Sequence, residues 1–560
     1  MGDTPKQRTG ITPYWPILAV VVVAAAALGI GAMVGGGDDD EPEASEDAAS
    51  SGDVTPPALD AFPDEDPLDA PDCDRETGRL AIPTVYAPNC VPIWEEGRDN
   101  GGAMGVGVTE DEITIVYYNG EDDPTARAIA DDVLGGAPTD EELAADREKI
   151  VEAYDALFET YGRTVRLVEV AGSGPADDDA AARADAIKIA DDIGAFAVVG
   201  GPAQTNAFAE ELSARGVICL CATGQPQELY ESLEPYAWGA TLASTQGYIH
   251  RADYVSHRLA GHNAEFAGDP AYQDRERSFA IVYYETADGS RGPGVDFFED
   301  RLADQGAELA DRIPYVLDLS QAPEDASTII ARLKDKDVTS VIFAGDGFFP
   351  IYLTQAATQQ DYHPEWIITG STGTDITALA RRYDQDQWRH AFGISYLLAR
   401  VDPDVIDEQG NLVSWYLGEN LEDYPNIFDF GRLFTGIHLA GPELTPENFR
   451  DGLFAYMPTG AYTTAFGTAY GDIRWPWPDY AGSDDVTQVW WDAEATGQDE
   501  TGADGTGMYR YMNNGQRYLP GELSDSTGEP FDTTDTFTIL DSFPQADMPP
   551  TYERRTSRTG

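Results

Sequence analysis

His250, His257, His262, His363, His390 and His438 are the imidazoles of this chain, and they stand singly, without the spacing of a metal-ligand set. No H-E-x-x-H occurs. Gly370-Ser371-Thr372-Gly373 lacks the G-x-S-x-G frame that holds a nucleophile on a sharp strand-to-helix turn. There is no phosphate-cradling P-loop, and Gly105-x-Gly107 precedes a strand instead of following one. The acidic run from Asp402 to Asn411 lacks the ligand spacing of an EF-hand. With 100 Asp and Glu residues in the chain, a neighbouring pair of carboxylates carries little information. The reactive side chains therefore argue against an enzyme, a resident metal or a cofactor. Polar, glycine-rich loops are what remains with chemical character.

Those loops recur at one kind of place. Val338 to Phe343 is a short apolar run rich in β-branched residues, broken by Ala344-Gly345-Asp346-Gly347. Tyr352 to Gln360 can form a helix that Pro364 closes. Trp366 to Thr369 is a second run, broken by Gly370-Ser371-Thr372-Gly373. Apolar runs of this length alternating with helices imply parallel strands covered on both faces. In open α/β sheets, ligands sit outside the carboxyl ends of such strands, where these loops fall. The expectation is a chain built to hold a small ligand there.

The same strand-helix rhythm runs through the chain twice. The first series has strands at Ile113–Tyr118, Thr164–Val170, Phe196–Val199 and Val217–Cys221, with helices at Arg147–Tyr161, Ala181–Ile193 and Asn206–Arg215. The second has a helix at Gly247–Leu259, a strand at Ser278–Tyr284, a helix at Val295–Gln305, a strand starting at Tyr315, and a helix at Ala326–Lys334. The stretch described above follows, then a strand at Ala391–Tyr396. Beyond Asp402 the pattern loosens into helices at Phe428–Ala440 and Pro446–Leu453. Thr487–Trp491, Met508–Met512 and Gln516–Leu519 read as antiparallel strands, and Pro520 to Gly560 reads as mostly irregular. The fold class expected is α/β, with two similar doubly wound parallel-sheet lobes joined by a hinge, preceded by one transmembrane helix and an acidic linker.

Composition bounds the partners. A formal net charge of -65 over 560 residues excludes nucleic acid and anionic lipid, which need a basic surface. Lys6 and Arg8 precede an unbroken apolar-or-glycine run from Ile17 to Val34, about the 18 residues a bilayer crossing needs. Tyr14 and Trp15 sit where interfacial aromatics belong, and the basic side should stay in the cytoplasm. This gives a single-pass protein of the cell membrane with the bulk of the chain outside. A cleavable signal peptide is the competing reading, and its cleavage pattern is poor. Gly35 to about Pro71 carries no basic residue and reads as a disordered tether. Cys73 and Cys90 are expected to close a short loop by a disulfide worth about 3 kcal/mol. Cys219 and Cys221 point to one face of a strand and read as small buried hydrophobes, preferred over a redox pair or metal site.

The domain expectation is a cytoplasmic end over 1–12, an anchor over 13–34, and an acidic linker with the disulfide segment over 35–105. Lobe 1 takes 106–247 plus about 400–480, lobe 2 takes 248–399 plus about 481–545, and 546–560 is a tail.

In order and spacing these pieces resemble the type 1 periplasmic binding fold, in its branched-chain amino acid or amide-binding branch, the substrate-binding subunits of ABC importers. The resemblance covers about Gly107 to Leu540. It is carried by Thr109, Asp111 and Ile113 before the opening strand, the strand-loop-helix at Phe196 to Leu212, and Ala222-Thr223 after a strand. The second lobe adds Ile281-Val282-Tyr283-Tyr284 with Gly292-Pro293-Gly294, then Phe343-Ala344-Gly345 with Phe348-Phe349-Pro350, and Ile368-Thr369-Gly370.

The resemblance implies a clamp with three crossovers that closes on a ligand by a hinge motion. It implies that loop amides and hydroxyls at Gly201, Gln204, Thr205, Ala222, Thr223 and Gly224 hold a carboxylate; the alternative is that they are ordinary capped turns. The acidic residue that would meet an ammonium in the second lobe is replaced here by Thr372, with Asp346 or Asp375 nearby. Tyr118 and Asn119, beside the acidic Glu121, Asp122 and Asp123, together with Tyr284, Phe348 and Phe349, are candidate pocket walls. The function expected is a membrane-anchored extracellular solute-binding protein that passes a small polar organic solute, amino acid or amide-like, to an ABC permease. The alternative is a tethered ligand sensor or protein-interaction module on the same fold.

Overall fold

The computed structural model describes residues 54–120, 140–202, 205–222, 224–285, 291–318, 320–371, 373–409, 411–421, 424, 426–460, 462–524 and 527–559. The apolar stretch 13–34, the tether up to residue 53, the acidic group at 121–123, Gln204, Thr223 and Thr372 lie outside the described residues. Among the described residues no helix is long and apolar enough to cross a membrane. This corrects the single-pass placement in the cell membrane, which rested on the apolar run at 17–34 with its flanking basic and aromatic residues.

Residues 54–71, expected within a tether, are packed. Ala58 and Phe62 are buried, and the Phe62 ring meets Trp94 edge-on at 6.0 Å. Gly441, with φ at +86°, lets this segment close in: a Cβ there would stand 2.9 Å from the Ala58 Cα. The acidic composition hid the two apolar residues that dock. A small antiparallel hairpin follows, β1 (Cys73–Asp74) with β2 (Arg79–Leu80). Cys73 and Cys90 are joined by a disulfide with a Cα separation of 5.5 Å.

The first lobe is a four-stranded parallel sheet of β3 (Glu112–Asn119), β4 (Thr164–Ala171), β5 (Ala197–Val199) and β6 (Ile218–Leu220), in the order β4-β3-β5-β6. Helices α1 (Asp140–Leu157), α2 (Asp179–Ile187) and α3 (Ala207–Ala214) cross between the strands. α1 buries Ile150, Val151, Tyr154 and Leu157 at helical spacing, and Asp140, Glu141 and Glu142 in its first turn suit the positive helix end.

After α4 (Ser244–Tyr254) the second lobe repeats the plan. Its strands are β7 (Phe279–Tyr284), β8 (Leu309–Tyr315), β9 (Ser340–Ala344), β10 (Glu365–Thr369) and β11 (Ala391–Ser395), parallel in the order β8-β7-β9-β10-β11. Three antiparallel strands extend it: β12 (Val486–Gln498) on β11, with β13 (Asp504–Tyr511) and β14 (Arg517–Tyr518) on β12. α5 (Gly292–Asp304), α6 (Ala322–Asp335) and α7 (Phe349–Gln359) are its crossover helices. The strands alternate between two cores. Val341 and Phe343 pack on one side of the sheet, and Ile342 with Ile367 on the other. Tyr315 ends β8 instead of starting it. β8 is an edge strand, and its half-buried Asp311, paired with Arg332 at 2.6 Å, masked the alternation.

The chain passes between lobes at about 239–243, 400–411 and 481–485. α8 (Ile427–Ala440) and α9 (Pro446–Phe454) complete the first core between the last two passages. A fourth passage was not expected. Leu540 pairs with Val401, and the chain then returns to the first lobe, where the Tyr552 carbonyl accepts from the Trp415 indole at 3.3 Å. The end is fixed by Arg558, whose guanidinium bonds to Asp72, Glu159 and the Val91 carbonyl.

Candidate binding site between the two lobes

The strand orders place a switch point in each sheet. In the first lobe β3 is flanked by β4 and β5, so successive crossovers leave in opposite directions after Asn119 and after Val199. The matching places in the second lobe follow Tyr284 and Ala344. α4 ties these edges together. The Ser244 amide donates at 3.0 Å to the carbonyl of Gln225, in the loop beyond β6, and the Gln227 amide donates to the Thr245 hydroxyl at 3.1 Å. One turn on, the Gly247 carbonyl accepts from the hydroxyl of Tyr396, the residue after β11, at 3.1 Å. Loops beyond the carboxyl edges of both sheets thus meet the amino half of one helix. Leu143, in the first turns of α1, packs against the second-lobe core.

On the first-lobe side the strand ends are close-packed. A Cβ at Gly200 would lie 2.6 Å from the Tyr118 carbonyl oxygen, and one at Gly201 3.0 Å from the Cys221 Cβ. Asn119 is half-buried at the end of β3, and its carbonyl accepts from the Gly172 amide at 2.7 Å. Gly224 makes its turn with φ at +68°. Tyr118 does not face this edge. Its ring is buried against Phe208 at 4.6 Å, and its hydroxyl donates to Asp185 at 2.8 Å. A strand covered on both faces has an inner side for each residue, so the pocket wall expected there is core. Thr205 is also turned inward: its hydroxyl donates to Asp179 and accepts from the Ala207 amide at 3.0 Å, as a cap of α3. Ala222 is buried, its carbonyl taken by the Tyr230 hydroxyl.

Cys219 and Cys221 are bonded to each other, with Cα atoms 5.0 Å apart. The expectation of two separate buried thiols assumed a straight strand, but β6 ends at Leu220 and Cys221 is already in the turn.

On the second-lobe side, Asp346 is fully buried. It accepts from the Tyr315 hydroxyl at 2.5 Å and from the Phe348 and Phe349 amides at 2.7 and 2.9 Å, capping α7. Burial raises its carboxyl above the ordinary range. Asp375 is withdrawn as well: it accepts from the Ser395 hydroxyl at 2.6 Å, and burial pushes it up to about 6. Neither acid is presented to a ligand. Tyr284 and Phe348 are half-buried at the edge, Tyr284 edge-on to Tyr315 at 5.9 Å, while Phe349 is stacked on Tyr315 at 4.0 Å inside the lobe.

Sequence reasoning missed the cation at this edge. Arg251, on α4, donates from Nε to the carbonyl of Thr369, the last residue of β10, at 3.3 Å. Its guanidinium lies 5.0 Å from the ring centre of Tyr248 and 5.5 Å from that of Tyr396. The available signal was the helical spacing of Tyr248 and Arg251 on the first helix of the second lobe. A separate cavity of about 150 Å³, between the β1–β2 hairpin and the C-terminal tail, is lined by Arg79, Tyr462 and Pro550. Arg79 there is spent on the carbonyls of Ala87, Met457 and Pro458.

No family model matches the chain, and no curated protein matches it. Among solved structures, similar folds are type 1 periplasmic binding proteins of ABC transporters, which are solute-binding proteins and not enzymes. A leucine-, isoleucine-, valine-, threonine- and alanine-binding protein from Brucella ovis has 13% identity and a TM-score of 0.49, covering 76% of this chain and 99% of its own. A solute-binding protein of an ABC transporter from Rhodopseudomonas palustris HaA2, in complex with p-hydroxybenzoic acid, has 12% identity and a TM-score of 0.48, covering 73% and 98%. A type 1 periplasmic binding protein from Bordetella pertussis Tohama I has 15% identity and a TM-score of 0.43, covering 68% and 97%.

Proposed function

We propose that the chain captures a small organic solute between its lobes by closing about the inter-lobe passages, and hands it to an ABC permease without chemical change. The observation that carries this reading is the pairing of two parallel sheets of like order whose carboxyl-edge loops both bond to the amino half of α4. The first-lobe loops offer backbone and turns, the second-lobe edge offers half-buried aromatics, and the passages supply a hinge. Amino acids and amides are the solute class first tested.

The experiment is a thermal-shift screen of the full chain against amino acids, amides, polyamines, small acids and sugars, followed by small-angle scattering with any hit. A ligand at 100 times its Kd should add about 2.7 kcal/mol if it binds only the folded state. Scattering should show a smaller radius of gyration in its presence. A hit that leaves the radius unchanged argues against capture by closure, and no hit across the panel argues against a solute-binding role.

A further inference from the structure

We infer that the solute is an organic carboxylate whose anionic end is received by the second lobe at Arg251, with no requirement for an ammonium group. This rests on the capture reading above and specifies its ligand class.

The first ground is the state of the guanidinium. Other arginines of the second lobe are spent on carboxylates: Arg277 on Glu365 at 2.8 Å, Arg332 on Asp311 at 2.6 Å, Arg381 on Asp499 at 3.0 Å and Arg517 on Asp485 at 2.9 Å. Arginines without a carboxylate, such as Arg79, Arg163 and Arg432, are instead spent on two or more backbone carbonyls each. Arg251 has no carboxylate within ion-pair distance among the described residues, although it stands at the carboxyl edge of the sheet. One of its nitrogens holds the Thr369 carbonyl, and Tyr248 and Tyr396 flank its plane. Its contacts fix the fork without neutralising it. A planar guanidinium held between aromatic rings is pre-organised for a carboxylate, and the low-dielectric walls strengthen that pairing.

The second ground is independent. Tyr248 also leans on the first turn of α5, where a Cβ at Gly294 would stand 2.5 Å from its ring. Arg291 occupies the cap position of that helix, at the β7 switch point, and its Nε is buried without a hydrogen-bond partner. Arg251 and the residue that caps α5 are thus both arginines not paired with a carboxylate among the described residues.

The third ground is what the edge withholds. An ammonium ligand needs an accessible carboxylate. Asp346 is consumed by Tyr315 and two amides, Asp375 by Ser395, and half-buried Glu285 receives the Arg291 amide at 2.9 Å. Among the described residues, the edge thus shows an arginine without a carboxylate partner and acids that are already engaged.

The test uses the purified full chain and calorimetric titration with matched probes: benzoate and benzamide, and 4-methylpentanoate, L-leucine and L-leucinamide. Carboxylates should bind and their amides should not, with 4-methylpentanoate at least equal to L-leucine. Arg251→Gln should weaken carboxylate binding by about 30-fold or more, the order expected on losing a charge-assisted pair, and Arg251→Lys by less. The unliganded melting temperature reports whether each variant folds, and the carboxylate-amide comparison in the wild-type chain needs no variant. Amides or L-leucinamide binding as well as the acids would overturn the inference while leaving capture between the lobes intact, as would an Arg251→Gln chain that folds and binds carboxylates unchanged. Absence of binding by every probe, with no change in scattering radius, would overturn both.

Discussion

The side-chain amide of Gln246 donates to Asp479 Oδ1 at 2.9 Å, and both residues are buried. Gln246 lies in the first turn of α4, just after the first inter-lobe passage, and Asp479 just before the third, so this bond ties the flanks of two passages together. The Gln246 carbonyl meanwhile accepts from the Ala243 amide at 2.7 Å. Burial, and then the neighbouring Asp484, hold the Asp479 carboxyl well above the ordinary carboxylate range. Gln246→Ala strands the buried Ala243 amide, while Asp479 Oδ1 keeps the Ala481 amide at 2.8 Å, and should cost about 1–3 kcal/mol for the one orphaned group. Urea unfolding measures it. A loss below about 0.5 kcal/mol would show that these passages are held elsewhere.

Arg558 is the second fastening. It is two residues from the end of the chain, yet its side chain is buried with Asp72 and Glu159, which are buried too. Removing the cation takes the ion-pair partner from two buried carboxylates, of which Glu159 keeps the Trp94 and Tyr161 amides. Arg558→Ala should therefore destabilise by about 3–5 kcal/mol, the usual cost of breaking a buried pair from one side. The double variant Arg558→Ala with Asp72→Asn should recover part of that loss. Equal stability of the single variant and the parent in guanidinium titration would show that the tail is not bound there in solution.

These two fastenings mark the limit of what the chain's pattern discloses. The strand-helix rhythm was legible because parallel strands buried on both faces must be apolar runs, and Val341 to Phe343 or Ile367 to Thr369 admit little else. The glycine loops at their ends were legible for the same reason. Contacts between distant segments were not. Ala58 and Phe62 lie in a stretch whose composition is that of a tether, and only the groove against Gly441 gives them a place. Thr205 and Tyr118 have the side chains of ligand contacts, but their hydroxyls are turned to Asp179 and Asp185 by packing that no local spacing reveals. Arg251 was overlooked because attention went to the strand-end loops, whereas it reaches the edge from a helix.

The cysteines give a covalent test. Cys73 and Cys90 close a loop of sequence separation 17, for which the chain-entropy estimate is about 3 kcal/mol. Inside that loop the Cys90 amide donates to the Gly78 carbonyl at 2.9 Å, so the bridge fastens an already ordered hairpin. The Cys73→Ser, Cys90→Ser double variant should lose about 2–3 kcal/mol, the lower figure applying where that hairpin persists without the bridge. In the parent chain under denaturant, iodoacetamide should label no cysteine before reduction and all four after it, as read by mass. Two labelled cysteines mapping to Cys219 and Cys221 would mean that this short bridge is open in solution.

Asp375 supplies a pH test. Burial raises its folded-state value from 3.8 to about 6. The folded chain therefore holds this proton more tightly than the unfolded chain, and stability from this group is fully present below pH ~4, falls as pH rises towards ~6, and stays low above it. The difference amounts to about 3 kcal/mol at 1.36 kcal/mol per pH unit, on the order of the largest single-group effects. Asp375→Asn keeps an oxygen that can accept from the Ser395 hydroxyl and removes the ionisation. It should therefore be more stable than the parent at pH 7, by up to that amount, and indistinguishable from it near pH 4. Urea midpoints at the two pH values measure the difference. A variant that loses more stability relative to the parent at pH 7 than at pH 4 would show that the carboxylate is stabilised in its charged form, and an equal loss at both would show that folding does not shift this group's proton affinity.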